Sequence, residues 1–148
     1  WRENVCQAAA AMLTQVGIRV TLRSMTTTQF VPKLTHGTAS MIEYRWTPQT
    51  DAWSSLNGLF RTWSAGGQGA YNAGRYSNPQ LDTLIDNIRV EPDITRRRAM
   101  VGVALRLVAD DLPVVPLYRR MLSWAMNKKV SLVHWPNDTV ELRWVSVK

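Results

Sequence analysis

Two breaker dipeptides fix the middle of this chain. Asn78-Pro79 marks a helix start, with asparagine as the cap and proline at the first helical position, where its missing N–H is not needed. Pro92-Asp93 ends that helix and caps a longer one, about 93–110. Leu81, Leu84, Ile85 and Ile88 recur at helical spacing and form the buried face of the first helix. The apolar positions of the second include Met100, Ala104, Leu107 and Val108. The rest of the fold must be built around these two helices.

Upstream, the hydrophobic period switches repeatedly. Val5, Ala9, Met12, Leu13 and Val16 predict a helix over 3–16, and Gly17 suits the left-handed position that follows it. Ile18, Val20 and Leu22 alternate with Arg19, Thr21 and Arg23, the period of a half-buried strand. Thr26 to Thr28 offer caps for a helix over 28–36, with Pro32 tolerated only near its first turn and His36-Gly37 at its end. Ile42, Tyr44 and Trp46 share one face of a second strand, with Glu43 and Arg45 on the other. Residues 51–61 read as a helix with Trp53, Leu56, Leu59 and Phe60 as its stripe. The glycine-containing stretch 64–77 is a loop and matches no phosphate-binding motif.

Downstream, strands are expected at 113–119 and 121–127. Pro113 and Pro116 make the first an edge or irregular strand. Val140, Leu142 and Trp144 predict a last one. The expected architecture is a single α/β domain over 1–148, a mixed sheet flanked by helices.

Function classes can be weighed against this layout. The net charge of +7 suggests a nucleic-acid partner, but basic residues are spread along the chain. The one dense run, Arg96-Arg97-Arg98, reads as a solvated helix face, and no nucleic-acid motif is visible. No apolar run reaches the roughly 18 residues that span a membrane. The chain begins at Trp1 rather than methionine, which predicts a fragment whose targeting information lies upstream.

Cys6 is the only cysteine, so neither an intrachain disulfide nor a multi-cysteine metal site can form. Its Ala-rich helix makes it a packed small residue rather than a nucleophile. His36 and His134 show no ligand spacing with the scattered carboxylates. Asp110 and Asp111 point about 100° apart on a helix and do not face each other as an acid/base pair. Asn137-Asp138-Thr139 reads as a turn. The expectation is no catalytic residue, no metal, no cofactor and no enzymatic activity.

The seven tryptophans, at 1, 46, 53, 63, 124, 135 and 144, are the more informative excess. Trp124 and Trp144 lie inside strand patterns and read as core. Trp46 differs: in YRWTPQTDAW (44–53) it ends a strand just before the polar residues Gln49, Thr50 and Asp51. Ligand crevices of α/β sheets form at that strand edge, so residues 45–51 are the candidate recognition site.

Several segments, in order, resemble family 5 extracellular solute-binding proteins, the dipeptide, oligopeptide and nickel receptors of ABC importers. AYNAGRYSNPQLDTLID (70–86) is similar to the family's "YSNP" segment. MLTQVGIRVTLRSM (12–25), TTQFVPKL (27–34), YRWTPQTDAWSSL (44–56) and DDLPVVPLY (110–118) resemble its neighbours along the chain. The resemblance implies the C-terminal lobe of a longer, two-lobed type II periplasmic binding protein. It implies a periplasmic or extracytoplasmic place, associated with the membrane through the transporter. The implied partners are a small solute such as a peptide, the ABC permease and the N-terminal lobe of the same chain, with no nucleic acid.

Ligand contacts are expected at Arg45, Trp46, Thr47 and Gln49, with Asp51 and Asn72 as lesser candidates; of these, Trp46 is the part that the resemblance retains. Trp46 is the expected stacking wall, and Thr47 and Gln49 supply polar recognition. Gln49 stands where the family's peptide receptors carry an aspartate for the peptide's α-amino group, and an amide cannot neutralise an ammonium. Asp51 resembles a second acidic position or caps the following helix. Arg45 stands where those receptors carry glycine, and offers a fork to a carboxylate or phosphate, or points to solvent. The substitutions argue against a generic free-amino peptide.

A second function class remains open at this point: a basic α/β interaction module binding a protein or nucleic acid through its arginines. Salt-sensitive retention on DNA or heparin discriminates it. A hydrolase using Cys6 is a third.

Overall fold

The computed structural model describes residues 2–36, 39–47, 49 and 51–148. Among the described residues, five α-helices run in chain order: α1 (Arg2–Gln15), α2 (Thr27–His36), α3 (Ala52–Leu59), α4 (Pro79–Val90) and α5 (Ile94–Asp111). Near the C-terminus, β1 (Val130–Ser131) pairs antiparallel with β2 (Ser146–Val147), Val130 opposite Val147 and Ser131 opposite Ser146.

The core lies between α3, α4 and α5. Leu56, Phe60, Leu81, Ile85, Ile88 and Ala104 form one buried cluster, with Trp53, Tyr76, Met100 and Leu107 packed around it. Local signals explain why these three helices form where they do. Asn78 caps α4, its side-chain oxygen accepting from the N–H groups of Gln80 (3.0 Å) and Leu81 (3.1 Å), with Pro79 next. Asp93 caps α5 by accepting from the N–H of Arg96 at 2.8 Å. The loop after α3 caps that helix's free carbonyls, Gly69 N–H donating to Asn57 O (3.1 Å) and Tyr71 N–H to Gly58 O (3.0 Å). Gly69 has φ +60°, and a Cβ there would lie 2.9 Å from the backbone of Trp63, so the turn admits only glycine.

Asp51 caps α3, accepting from Trp53 N–H at 2.8 Å, and its other oxygen takes a 2.5 Å bond from Arg97. Arg97 Nε also donates to Ile88 O, in the last turn of α4, at 3.0 Å. One side chain of α5 therefore ties the start of α3 to the end of α4. Arg97 is thus no part of a solvated face, which corrects the reading of Arg96-Arg97-Arg98. The Trp53 N–H holds the Asp51 carboxyl below its ordinary value of 3.8, helped by Arg97 and opposed by burial. A lowered folded pKa stabilises fully above that ordinary value and is lost as the pH falls through the folded one. Asp51→Ala is expected to cost about 1–2 kcal/mol at neutral pH and to remove this acid-sensitive part. Urea midpoints at pH 7 and at a series of pH values below 3.8 check it: the gap between wild type and variant should narrow as the acid strengthens.

Elsewhere the sequence reading holds at helices and fails at strands. Gly17 (φ +87°) ends α1 as expected, with Ile18 N–H donating to Leu13 O and Gly17 N–H to Thr14 O at 3.0 Å each. Pro32 sits inside α2 rather than at its first turn, and Gly37 lies outside the described residues. The segments 18–22, 42–46, 113–119 and 121–127 carry strand periods but join no ladder among the described residues. Residues 142–144 form a 3₁₀ turn, and Trp144 is exposed rather than core. A period of two sets which side chains share a face, but a ladder also needs a neighbouring strand to take its N–H and C=O groups. The observed chain is therefore mostly helical with a small two-stranded sheet. This is compatible with a mixed α/β fragment.

That lack of partners shows in the surface. The chain exposes 11395 Å², where a compact monomer of 16.8 kDa exposes about 7,700 Å². Ile18, Val115, Leu117 and Met121 are among the large apolar residues left in water.

Candidate ligand-binding site

Trp46 is fixed against α3 from three sides. Its indole N–H donates to Ser55 Oγ at 3.0 Å. Its ring meets Tyr71 edge-on, centroids 5.2 Å apart. Below it lies Gly58, where a Cβ would sit 3.3 Å from the indole. Glycine within a helix costs about 1 kcal/mol relative to alanine, and here it admits the ring. Tyr44 O–H donates to Tyr71 O at 3.3 Å, so the loop 61–77 holds two aromatic residues of the 44–49 corner. Burial pushes the Tyr44 phenol up.

Arg45 and Thr47 are brought together. Arg45 donates from Nε (3.3 Å) and Nη2 (3.2 Å) to Thr47 Oγ1. Its Nη2 also lies 3.5 Å from Asp138 Oδ2, which accepts from Arg120 Nη2 at 2.7 Å. Arg45 thus faces Thr47 and a carboxylate far along the chain, while Glu43, its neighbour in the pattern, pairs with Arg2 at 2.6 Å. Gln49 is exposed, and Pro48 and Thr50 lie outside the described residues.

Asp51 and Asn72 are engaged in structure. Asp51 holds α3 and Arg97, as above. Asn72 is 5% exposed; its amide donates to Arg61 O (3.0 Å) and Tyr76 O (2.7 Å), and its oxygen accepts from Tyr76 N–H (3.0 Å). Next to it, Tyr76 O–H donates to Asp111 at 2.5 Å, and Asn78 Nδ2 to the same oxygen at 2.9 Å. Tyr76 first and Asn78 second lower the Asp111 carboxyl, while burial and then Asp111 raise the Tyr76 phenol. These bonds offset the poor placement of an anion at a helix C-terminus and tie the loop to α5.

Sequence reasoning missed Ser55, Gly58, Tyr71, Arg120 and Asp138. Ser55 and Gly58 were within reach, three residues apart on one face of α3, with a glycine where helices disfavour it. Arg120 and Asp138 carry no local signal. Among the described residues, no group of three or more His, Cys, Asp or Glu is gathered to hold a metal ion, and no helix is long and apolar enough to cross a membrane. Arg2, Arg61, Arg97, Arg120 and Arg143 each meet a carboxylate within 2.7 Å. Among the described residues, five of the 18 lysines and arginines are thus locally paired at this distance.

The chain is distantly similar to a protein named as periplasmic and dipeptide-binding and to uncharacterised lipoproteins. It is 27% identical over 129 residues to the Escherichia coli K12 protein named "Probable D,D-dipeptide-binding periplasmic protein DdpA", covering 86% of this chain and 25% of that one. An uncharacterised lipoprotein of Mycobacterium bovis and one of Mycobacterium tuberculosis H37Rv are each 31% identical over 62 residues, 42% of this chain and 11% of theirs. The chain thus spans about a quarter of the length of the Escherichia coli relative. No family model and no solved structure matches it.

Proposed function

We propose that the chain is the C-terminal lobe of a solute-binding component of an ABC importer, located outside the cytoplasmic membrane and without chemistry of its own. In this reading the lobe closes over a small solute, such as a dipeptide, against a second lobe of the same polypeptide. It then delivers the solute to the permease. Ligand contacts to both halves favour the closed state. The carrying observation is the likeness to the Escherichia coli protein over 86% of the chain. The portion left out is shorter than the sequence before Tyr44 or after Asn72, so the match takes in the whole candidate corner. The apolar surface left in water supports the same reading.

Trp46 is the wall on which a solute rests, with Thr47 and Gln49 beside it. Half a cleft supplies half the contacts. The 148-residue chain alone is therefore expected to show no calorimetric response to D,D- or L,L-dipeptides at micromolar concentration. The full-length gene product should release a small solute on denaturation, seen by mass spectrometry. Micromolar binding by the isolated chain, or a full-length product with neither bound solute nor dipeptide response, overturns the reading.

A further inference from the structure

We propose that Arg45 and Arg120 form a carboxylate-binding site in which the chain's own Asp138 sits, and that a solute carboxylate takes Asp138's place. The proposal rests on the solute-binding reading and narrows it to solutes that bear a carboxylate.

Two guanidiniums from distant parts of the chain converge on one oxygen. Arg120 Nη2 lies 2.7 Å and Arg45 Nη2 3.5 Å from Asp138 Oδ2. Two cations face one anion, so the group keeps a positive excess when Asp138 is ionised. The 3.5 Å contact is at the outer limit of a hydrogen bond, so Arg45 is only loosely engaged by Asp138. Meanwhile Thr47 holds the Arg45 guanidinium through Nε and Nη2, which fixes its plane. A planar fork held in place suits a carboxylate, which can accept two parallel bonds.

The internal carboxylate is delivered by a constrained turn. Asp138 has φ +65°, in the left-handed region that aspartate tolerates better than most residues. Its N–H donates to Trp135 O at 3.1 Å, and the Asn137 side chain takes the N–H of Thr139 at 3.3 Å. Both arginines are open to solvent, with side-chain exposures of 44% for Arg45 and 40% for Arg120, against 26% for Asp138. An incoming anion can therefore reach the cations while the carboxylate between them is the more covered group. Arg45 directly precedes Trp46 in the chain, so the arginine pair adjoins the candidate 44–49 corner.

Competition of this kind predicts that neutralising Asp138 strengthens anion binding. Acetate is titrated against the ¹⁵N-labelled 148-residue chain at constant ionic strength, reading the arginine Nε–H signals and assigning them with R45M and R120M. The expected result is that Asp138→Asn binds acetate about ten-fold more tightly than wild type, a change of roughly 1.4 kcal/mol, and that adding R120M abolishes the gain. Asp138→Gly, which also accepts the left-handed backbone, should behave as Asp138→Asn does. Unchanged acetate affinity in a folded Asp138 variant overturns the proposal, as does tighter binding of inorganic phosphate than of acetate. Unfolding of both Asp138 variants overturns it too, because Asp138 is then a brace. The titration reads the arginine pair whether or not a solute copurifies with the full-length protein, so this proposal and the receptor reading fail separately.

Discussion

Ile85→Ala is expected to abolish the cooperative unfolding transition of the chain, or to lower its free energy by about 2–5 kcal/mol. Ile85 is fully buried on α4, in the cluster shared with α3 and α5. Removing its outer carbons loses their transfer free energy and leaves a cavity that the three helices can close only in part. Among the described residues little other core exists to compensate: α1 has no buried residue and α2 has only Leu34. Domains are stable by only about 5–15 kcal/mol, and one with so few buried side chains stands near the bottom of that range. Urea unfolding followed by far-ultraviolet circular dichroism measures it. A loss under about 1 kcal/mol would mean that the three-helix cluster is not where the stability resides.

Asn72→Asp is expected to be nearly as damaging, and in a pH-dependent way. The two amide hydrogens of Asn72 meet the carbonyls of Arg61 and Tyr76. A carboxylate would turn a negative oxygen towards those same carbonyls in a place only 5% exposed. A cost of about 3 kcal/mol at pH 7 follows, because two acceptors lose their donor and a charge is desolvated. Burial and the facing carbonyls raise the new carboxyl's folded pKa above its unfolded value. Its effect on stability is therefore mildest below the unfolded value, where the acid can still donate one hydrogen, and worsens as the pH rises through the folded value. Thermal melts of variant and wild type at pH 4 and pH 7 should show the gap widening with pH. An equal gap at both would show that Asn72 is not sealed in the loop.

What the sequence could tell followed the range of the interaction. Asn78-Pro79, Asp93, Gly17 and the Leu81–Ile88 stripe act within one or two turns of themselves, and each did what its chemistry requires. Asp51 was legible as a cap for the same reason. Arg97 was not, since its partners Asp51 and Ile88 are reached only after α3, α4 and α5 have packed. Ile18, Val20 and Leu22 show the opposite failure. Their alternation is genuine, but nothing local supplies the strand they would pair with. At the candidate site, Trp46 stood out because of the turn that follows it. Asn72 looked equally available as a polar residue in a loop, with no local sign that three backbone groups claim it. The pairing of Arg45 with Asp138 spans 93 residues and leaves no trace in either neighbourhood.

The Arg97 bridge has a mechanical consequence. Asp51 is where the 44–49 corner passes into α3, and its carboxylate is bound to a side chain of α5 that also grips α4. At that junction the corner cannot swivel against the helices without breaking a charge-assisted bond. Trp46, seated on Gly58 and Ser55, is fastened to the same block. These bonds cross-link the indole and the three helices into one packed block. In the proposed receptor, closure over a solute would displace that block as a unit, with the pivot outside it.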